Sequence, residues 1–166
     1  MSLSFADATL RMPAEADLRG FRGALAEYVA HRITAPWDPP GDADSATLRA
    51  HVASLADMPG RDLHRWYFVN GGYVGRITLR RGQSSVVTDL HGHVGYDVRP
   101  SAWGLGHATR MLTLFLARCV SPERPTVRIT CSANNPASRR VIEKSGGVLV
   151  DDFGGFLRFD VPATAG

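Results

Sequence analysis

Val98-Arg99-Pro100-Ser101-Ala102-Trp103-Gly104-Leu105-Gly106-His107-Ala108-Thr109 is the stretch on which the fold turns. It reads as the end of a strand, a glycine-rich turn and the start of a helix. Gly104 and Gly106 let the backbone turn tightly and let a ligand approach its N–H groups. The helix that follows carries Ala108, Met111, Leu112, Phe115, Leu116 and Cys119 on one broad apolar face. Its first turn offers unpaired N–H donors and a partial positive charge, which together suit a pyrophosphate. Two close glycines equally suit a plain strand-to-helix turn, so the stretch alone leaves both readings open.

The second informative stretch is Asn134-Asn135-Pro136-Ala137-Ser138-Arg139-Arg140-Val141-Ile142-Glu143-Lys144-Ser145-Gly146-Gly147. Asn135 is a good N-cap, Pro136 suits the first helical position and Gly146 ends the helix. Val127 to Cys131, just before it, alternates as a buried strand.

Upstream, Phe5 to Met12 predicts a first strand. Pro13 then opens a helix with Leu18, Phe21, Leu25, Tyr28 and Val29 on one face. Arg32 to Asp44, with Trp37, is rich in proline and glycine and reads as a loop. Ser45 to Ala56 predicts a second helix. Trp66 to Val69, Asn70-Gly71-Gly72 and Tyr73 to Leu79 form strand, tight turn and strand. A further strand falls within Val86 to Val98, and Gly147 to Val161 supplies two more. The order is β-α-α-β-β-β-α-β-α-β-β, an antiparallel meander followed by one β-α-β crossover. That is an α+β layout, expected as a single domain over residues 1–166.

Composition excludes several classes. The 166 residues are 44% hydrophobic, with mean hydropathy −0.11, and carry a net charge of +3. No apolar run approaches the ~20 residues of a membrane span, and no Lys/Arg run forms a nucleic-acid patch. The start lacks the pattern of a signal peptide, so a cytoplasmic protein is expected. Cys119 and Cys131 sit in apolar stretches and are expected as buried, reduced thiols rather than metal ligands or a disulfide. No motif of the P-loop or dinucleotide-binding type occurs.

With these residues in view, the chain resembles the GNAT acetyltransferases. Their Gln/Arg-x-x-Gly-x-Gly/Ala signature, between the fourth strand and the third helix, falls on Trp103, Gly104, Leu105, Gly106, His107 and Ala108. Trp103 stands in place of the Gln or Arg, as in the ribosomal-protein N-terminal acetyltransferase branch. Leu105 stands where a basic residue is usual. The second stretch is similar to the family's Asn-x-x-Ser-x-x-x-x-Glu-Lys-x-Gly, which lies beside the pantetheine arm. The resemblance is strongest from Gly92 to Gly147. It implies a mixed, mostly antiparallel sheet of about seven strands with about four helices. It also implies acetyl-CoA as co-substrate, held by Val98, Trp103, Gly104, Leu105, Gly106, His107, Ala108, Asn135 and Ser138, with Arg139 or Arg140 near its 3′-phosphate. Metal is not expected. The acceptor would be an amine, on a small molecule or a protein N-terminus, and a homodimer fits family habit.

The same resemblance implies direct attack of the amine on the thioester, which needs a base for its proton and a donor for the oxyanion. Base candidates lie on the fourth strand. His93 leads, with His91 second and Asp89 or Asp97 behind. His91 and His93, two apart, would share one face of a regular strand. Tyr96, Trp37 and Trp66 are candidates for the acceptor pocket. The tyrosine that protonates the leaving thiolate in many members would stand at position 142, where this chain has Ile142. That departure keeps a second reading open, an acyl-CoA-binding regulatory protein without turnover.

Overall fold

In the computed structural model, residues 7–33, 38–81, 90–119 and 124–163 are described. Seven strands make one sheet in the order β1-β2-β3-β4-β5-β7-β6. They are β1 (Thr9–Arg11), β2 (Leu63–Val69), β3 (Gly72–Leu79), β4 (Val94–Val98), β5 (Thr126–Ser132), β6 (Val148–Phe153) and β7 (Phe156–Pro162). Among the described residues, four helices flank it: α1 (Leu18–Ala30), α2 (Ser45–Ser54), α3 (His107–Cys119) and α4 (Pro136–Lys144). The order and number of elements match the α+β expectation.

Every pairing is antiparallel except β4 with β5. Those two are joined through α3, as a parallel pair must be joined by a crossover. The β2–β3 hairpin turns on Asn70 and Gly71, both at positive φ (50° and 74°), the pattern of a tight turn that continues the strand twist. Asp44 caps α2 by accepting from Thr47 N, and Asn135 caps α4 by accepting from Ser138 N.

Alternation along the strands divides the core in two. On one face α3 and α4 bury Met111, Leu112, Phe115 and Ile142 against Ile77, Val94, Ile129, Phe159 and Val161. On the other, α1 and α2 bury Phe21, Leu25, Tyr28, Leu48 and Val52 against Trp66, Phe68 and Tyr73. Three expectations need correction here. The first strand is only Thr9–Arg11. Val29 is 58% exposed, because residues 21, 25 and 28 set the buried face of α1 and Val29 lies about 100° round from Tyr28. Trp66 is 1% exposed and packs on Phe21 (4.6 Å between ring centroids), so it is core rather than pocket lining. Cys131 is buried and free, whereas Trp37, Asp89 and the Cys119 side chain lie outside the described residues.

Candidate active site

Two features of the sheet converge at the C-terminal end of β4. The first is a gap. β4 and β5 share a single registered pair, Val94 with Ile129, while β4 stays paired to β3 up to Val98 and β5 to β7 up to Ser132. Beyond that pair the two parallel strands part. Arg80 N–H donates to His93 O and Arg99 N–H to Val74 O, so the antiparallel ladder spends the odd-numbered residues of β4 on β3. The backbone groups of Tyr96 and Val98 therefore face the gap.

The second feature is the turn after β4. Gly104 and Gly106 take φ of 73° and 80°, in the left-handed region that glycine enters without strain. A short 3-10 turn, Pro100–Ala102, precedes them, and the first backbone bond of α3 runs from Arg110 N to Gly106 O. Among the described residues, no backbone or side-chain oxygen accepts from the N–H groups of Gly104, Leu105, Gly106, Ala108 or Thr109. Five such donors clustered at a helix N-terminus make a cradle for a polyanion. A pyrophosphate fits there, and a short arm attached to it would lie in the gap.

The predicted cofactor residues divide by role. Gly104, Leu105, Gly106 and Ala108 contribute N–H groups. The His107 ring is 9% exposed and packs against Tyr67 (5.9 Å), where burial lowers its pKa. Trp103 replaces a long polar side chain with a brace: its indole Nε1–H donates to Val98 O at 2.6 Å, and its ring meets His31 edge-on. Asn135 Oδ1 is spent on the α4 cap. Ser138 Oγ lies 2.8 Å from the Tyr96 hydroxyl, whose pKa burial pushes up to about 12. Arg139 pairs with Glu143 at 2.8 Å, which is the solvated-helix reading of that residue.

The last turn of α1 grips both sides of Val98. The Glu27 carboxylate accepts from Arg99, from Ser101 N (3.0 Å) and from Ser101 Oγ (3.1 Å). Its neighbour Tyr28 donates to Asp97 Oδ1 at 2.5 Å. The Arg99 guanidinium, followed by Ser101, holds Glu27 down to about 2. Because the folded value is depressed, this contribution is fully present above the ordinary carboxylate pKa and is lost as pH falls through about 2. The Glu27→Gln variant is thus expected to be less stable than the parent by about 1 kcal/mol at neutral pH. The difference should close as pH drops from about 4.5 toward 2. Urea unfolding at pH 7 and pH 3 checks both statements, and a pH-independent gap would contradict them.

Asp97, placed behind the histidines in the sequence, lies in a charged cluster. Arg76 Nε donates to its Oδ2 at 2.7 Å, and the same guanidinium holds Asp38 through both terminal nitrogens. The Asp97 side chain keeps 35% exposure while Arg76 and Asp38 keep 12% and 11%. The three ionised groups sum to one negative charge. Asp97 thus presents a carboxylate next to the gap, on the face that α1 and α2 cover. Its position directly before Val98 was the available signal.

The histidine geometry differs from expectation. His91 closes a helical turn and is exposed, and Gly92, at φ 70°, breaks the run before β4 begins at Val94. The two rings therefore do not share a face of a regular strand. His93 Nδ1 accepts from Arg128 N at 2.8 Å. In the neutral ring the proton is then on Nε2, and no nitrogen is left to take another. His93 also precedes Asp97 by four residues, about 13 Å along the strand. Ile142 is fully buried in the core and offers no acid. Among the described residues, no group of three or more His, Cys, Asp or Glu side chains is placed to hold a metal ion, and no helix is long and apolar enough to cross a membrane.

The profile of the family described as acetyltransferase (GNAT) domain matches residues 7–148. The chain belongs to the GNAT acetyltransferase family. No curated protein matches it. Among solved structures it is similar to Mycobacterium smegmatis RimJ in complex with CoA-disulfide, with 21% identity, 94% of this chain and 82% of that chain covered, and TM-score 0.71. The ribosomal-protein alpha-N-acetyltransferase RimL in complex with coenzyme A gives 15%, 96%, 97% and 0.69. A chimera of the Vibrio cholerae spermidine N-acetyltransferase SpeG with hSSAT gives 14%, 95%, 96% and 0.66. At these identities the likeness is one of fold. Family membership supports acetyl transfer, with coenzyme A as carrier.

Proposed function

We propose that the protein is an acetyl-CoA-dependent N-acetyltransferase that acetylates a primary amine by direct attack in a ternary complex. The observation that carries this reading is the set of N–H groups at Gly104, Leu105, Gly106, Ala108 and Thr109, unaccepted among the described residues, beside the parting of β4 from β5. The cradle takes the pyrophosphate and the gap takes the pantetheine arm. Acetyl-CoA supplies an acetyl thioester. The backbone N–H groups of Tyr96 and Val98 face that gap, where one of them can donate to the thioester oxygen as charge develops on it. Asp97 receives the acceptor's ammonium and assists its loss of a proton. The buried Tyr96 hydroxyl keeps its proton at neutral pH and can donate toward the leaving sulfur, a role that Ile142 cannot fill. In this assignment His93 braces β4 against β5, and His91 takes no part.

A primary amine is the acceptor chemistry shared by a ribosomal-protein N-terminus and spermidine, the groups for which RimL and SpeG are named. A thermal melt with acetyl-CoA, using ATP as control, tests the cofactor half. Ligand at about 100 times Kd adds roughly 2.7 kcal/mol. Release of free CoA thiol against a panel of amines tests the catalytic half, and binding without release would favour the regulatory alternative that Ile142 raises. Asp97→Asn keeps the side chain's shape and removes its charge. It is expected to lower kcat/KM for the amine about 100-fold, equivalent to ~2.7 kcal/mol of transition-state binding, with the Kd for acetyl-CoA unchanged. Parent-like turnover in this variant would remove Asp97 from the mechanism.

A further inference from the structure

The face of the sheet that carries Asp97 also carries Arg80, in an arrangement that the reaction as described does not use. Gly95, two residues before Asp97 on β4, makes room for it. A Cβ at Gly95 would stand 2.8 Å from one terminal nitrogen of Arg80 and 3.4 Å from the other. The guanidinium therefore lies flat against β4 in the space of a missing side chain. One of its terminal nitrogens donates to His91 O and Gly92 O, both at 3.1 Å. Arg76, Arg128 and Arg158, on the same face, each hold an aspartate. Among the described residues no carboxylate lies within ion-pair distance of Arg80, and its burial, which the charge of Asp62 offsets only in part, lowers its pKa.

The position beside Gly95 on β5 is Thr130, one step on from the Val94–Ile129 pair. The Thr130 hydroxyl is buried and has no hydrogen-bond partner. A cation partly withdrawn from water without a carboxylate in contact is costly, and so is an unpaired buried hydroxyl. An oxyanion placed between them would satisfy both.

We propose that Arg80 and Thr130 form the subsite for a carboxylate on the acceptor, which is then an α-amino acid or a close relative of one. The proposal rests on the assignment of the acceptor amine to Asp97. Two residues of strand separate Asp97 from Gly95 by about 6.7 Å. The nitrogen and carboxylate of an α-amino acid, with a hydrogen bond at each end, span about 8 Å. A polyamine has no group for Arg80, and an internal peptide segment has its carboxylate replaced by an amide.

The test is calorimetric titration of the full chain, loaded with CoA, with product-like probes: N-acetylglycine, N-acetyl-L-leucine and N-acetyl-L-phenylalanine, each against its carboxamide. At least one acid is expected to bind about tenfold or more tightly than its amide, the range of one charge-assisted pair. Arg80→Met should erase that preference and Arg80→Lys should keep part of it. Gly95→Ala, whose new methyl displaces the guanidinium, should weaken it. The Kd for CoA should stay the same throughout, and melting curves confirm that each variant is folded. Equal binding of acid and amide, or no millimolar binding of any acid, overturns the subsite. So does tighter binding of N-acetylaminomethylphosphonate than of N-acetylglycine, which would make the subsite one for phosphonate or phosphate. A parent chain that acetylates plain amines without regard to a carboxylate overturns the subsite and leaves the acetyltransferase reading intact. Failure to bind CoA undermines that reading instead, and the acid-to-amide comparison is then judged on the unloaded chain by the same criteria.

Discussion

Acetyl-CoA is expected to bind the Gly106→Glu variant at least about 100-fold more weakly than the parent chain, a loss of ~2.7 kcal/mol or more. Gly106 sits at φ 80° with its N–H in the middle of the cradle. A side chain there pays about 1–2 kcal/mol for the left-handed conformation, or relaxes it and turns the donors away. The added carboxylate also repels the diphosphate. In a thermal melt the acetyl-CoA-dependent shift should vanish, while the ligand-free melting temperature falls by only a few degrees. Gly104→Ala is the graded control. Its φ is 73°, but no atom lies within 4 Å of the added methyl, so it carries backbone strain without a new charge. An affinity in Gly106→Glu equal to that of the parent would remove the cradle from cofactor binding.

The second large effect is on stability. Arg76→Met is expected to cost about 3–4 kcal/mol, because it leaves Asp38 and Asp97 facing each other with their shared cation gone. Asp38 is 11% exposed and cannot hydrate freely. A loss of that size is a large part of the stability of an ordinary domain, and corresponds to a fall of roughly 10 °C in Tm at this chain length. Urea unfolding measures it directly. Adding Asp38→Asn to Arg76→Met should recover part of the loss, since it removes one of the two stranded charges. A near-neutral Arg76→Met would mean that water reaches the site well enough to replace the guanidinium.

The order of the elements was legible because local signals agreed with one another. Asn70-Gly71 fixed the hairpin, Asn135-Pro136 fixed the start of α4, and the glycines of the turn fixed the start of α3. The geometry of the proposed cofactor cradle was legible for the same reason. It is made mostly of backbone groups whose geometry follows from a strand, a turn and a helix in that order. The acceptor half was not. His91 and His93 invited a strand reading that Gly92 breaks, and nothing in sequence shows that Arg128 N–H occupies the His93 ring. Trp66 was ambiguous because aromatic residues line cores and pockets alike. The Glu27–Arg99 and Arg76–Asp38 contacts join residues 72 and 38 positions apart, distances over which one sequence carries no pairing signal.

The single rung between β4 and β5 has a consequence for how the molecule responds to ligand. The sheet consists of two smaller sheets, four strands and three strands, stitched along their common seam by one registered strand pair, by the Gly92–Ile129 bridge and the His93–Arg128 hydrogen bonds at its start, and by the side chains of α3 beneath it. A pantetheine arm lying in the seam, with its amides turned toward β4, would behave as a short guest strand and finish the ladder that the polypeptide leaves open. Amide hydrogens of β4 and β5 should then exchange markedly more slowly once the guest is in place, and those of β2 and β7, already laced on both sides, should barely change. On this view the enzyme borrows part of its own architecture from the molecule it consumes, and returns it each time the product departs.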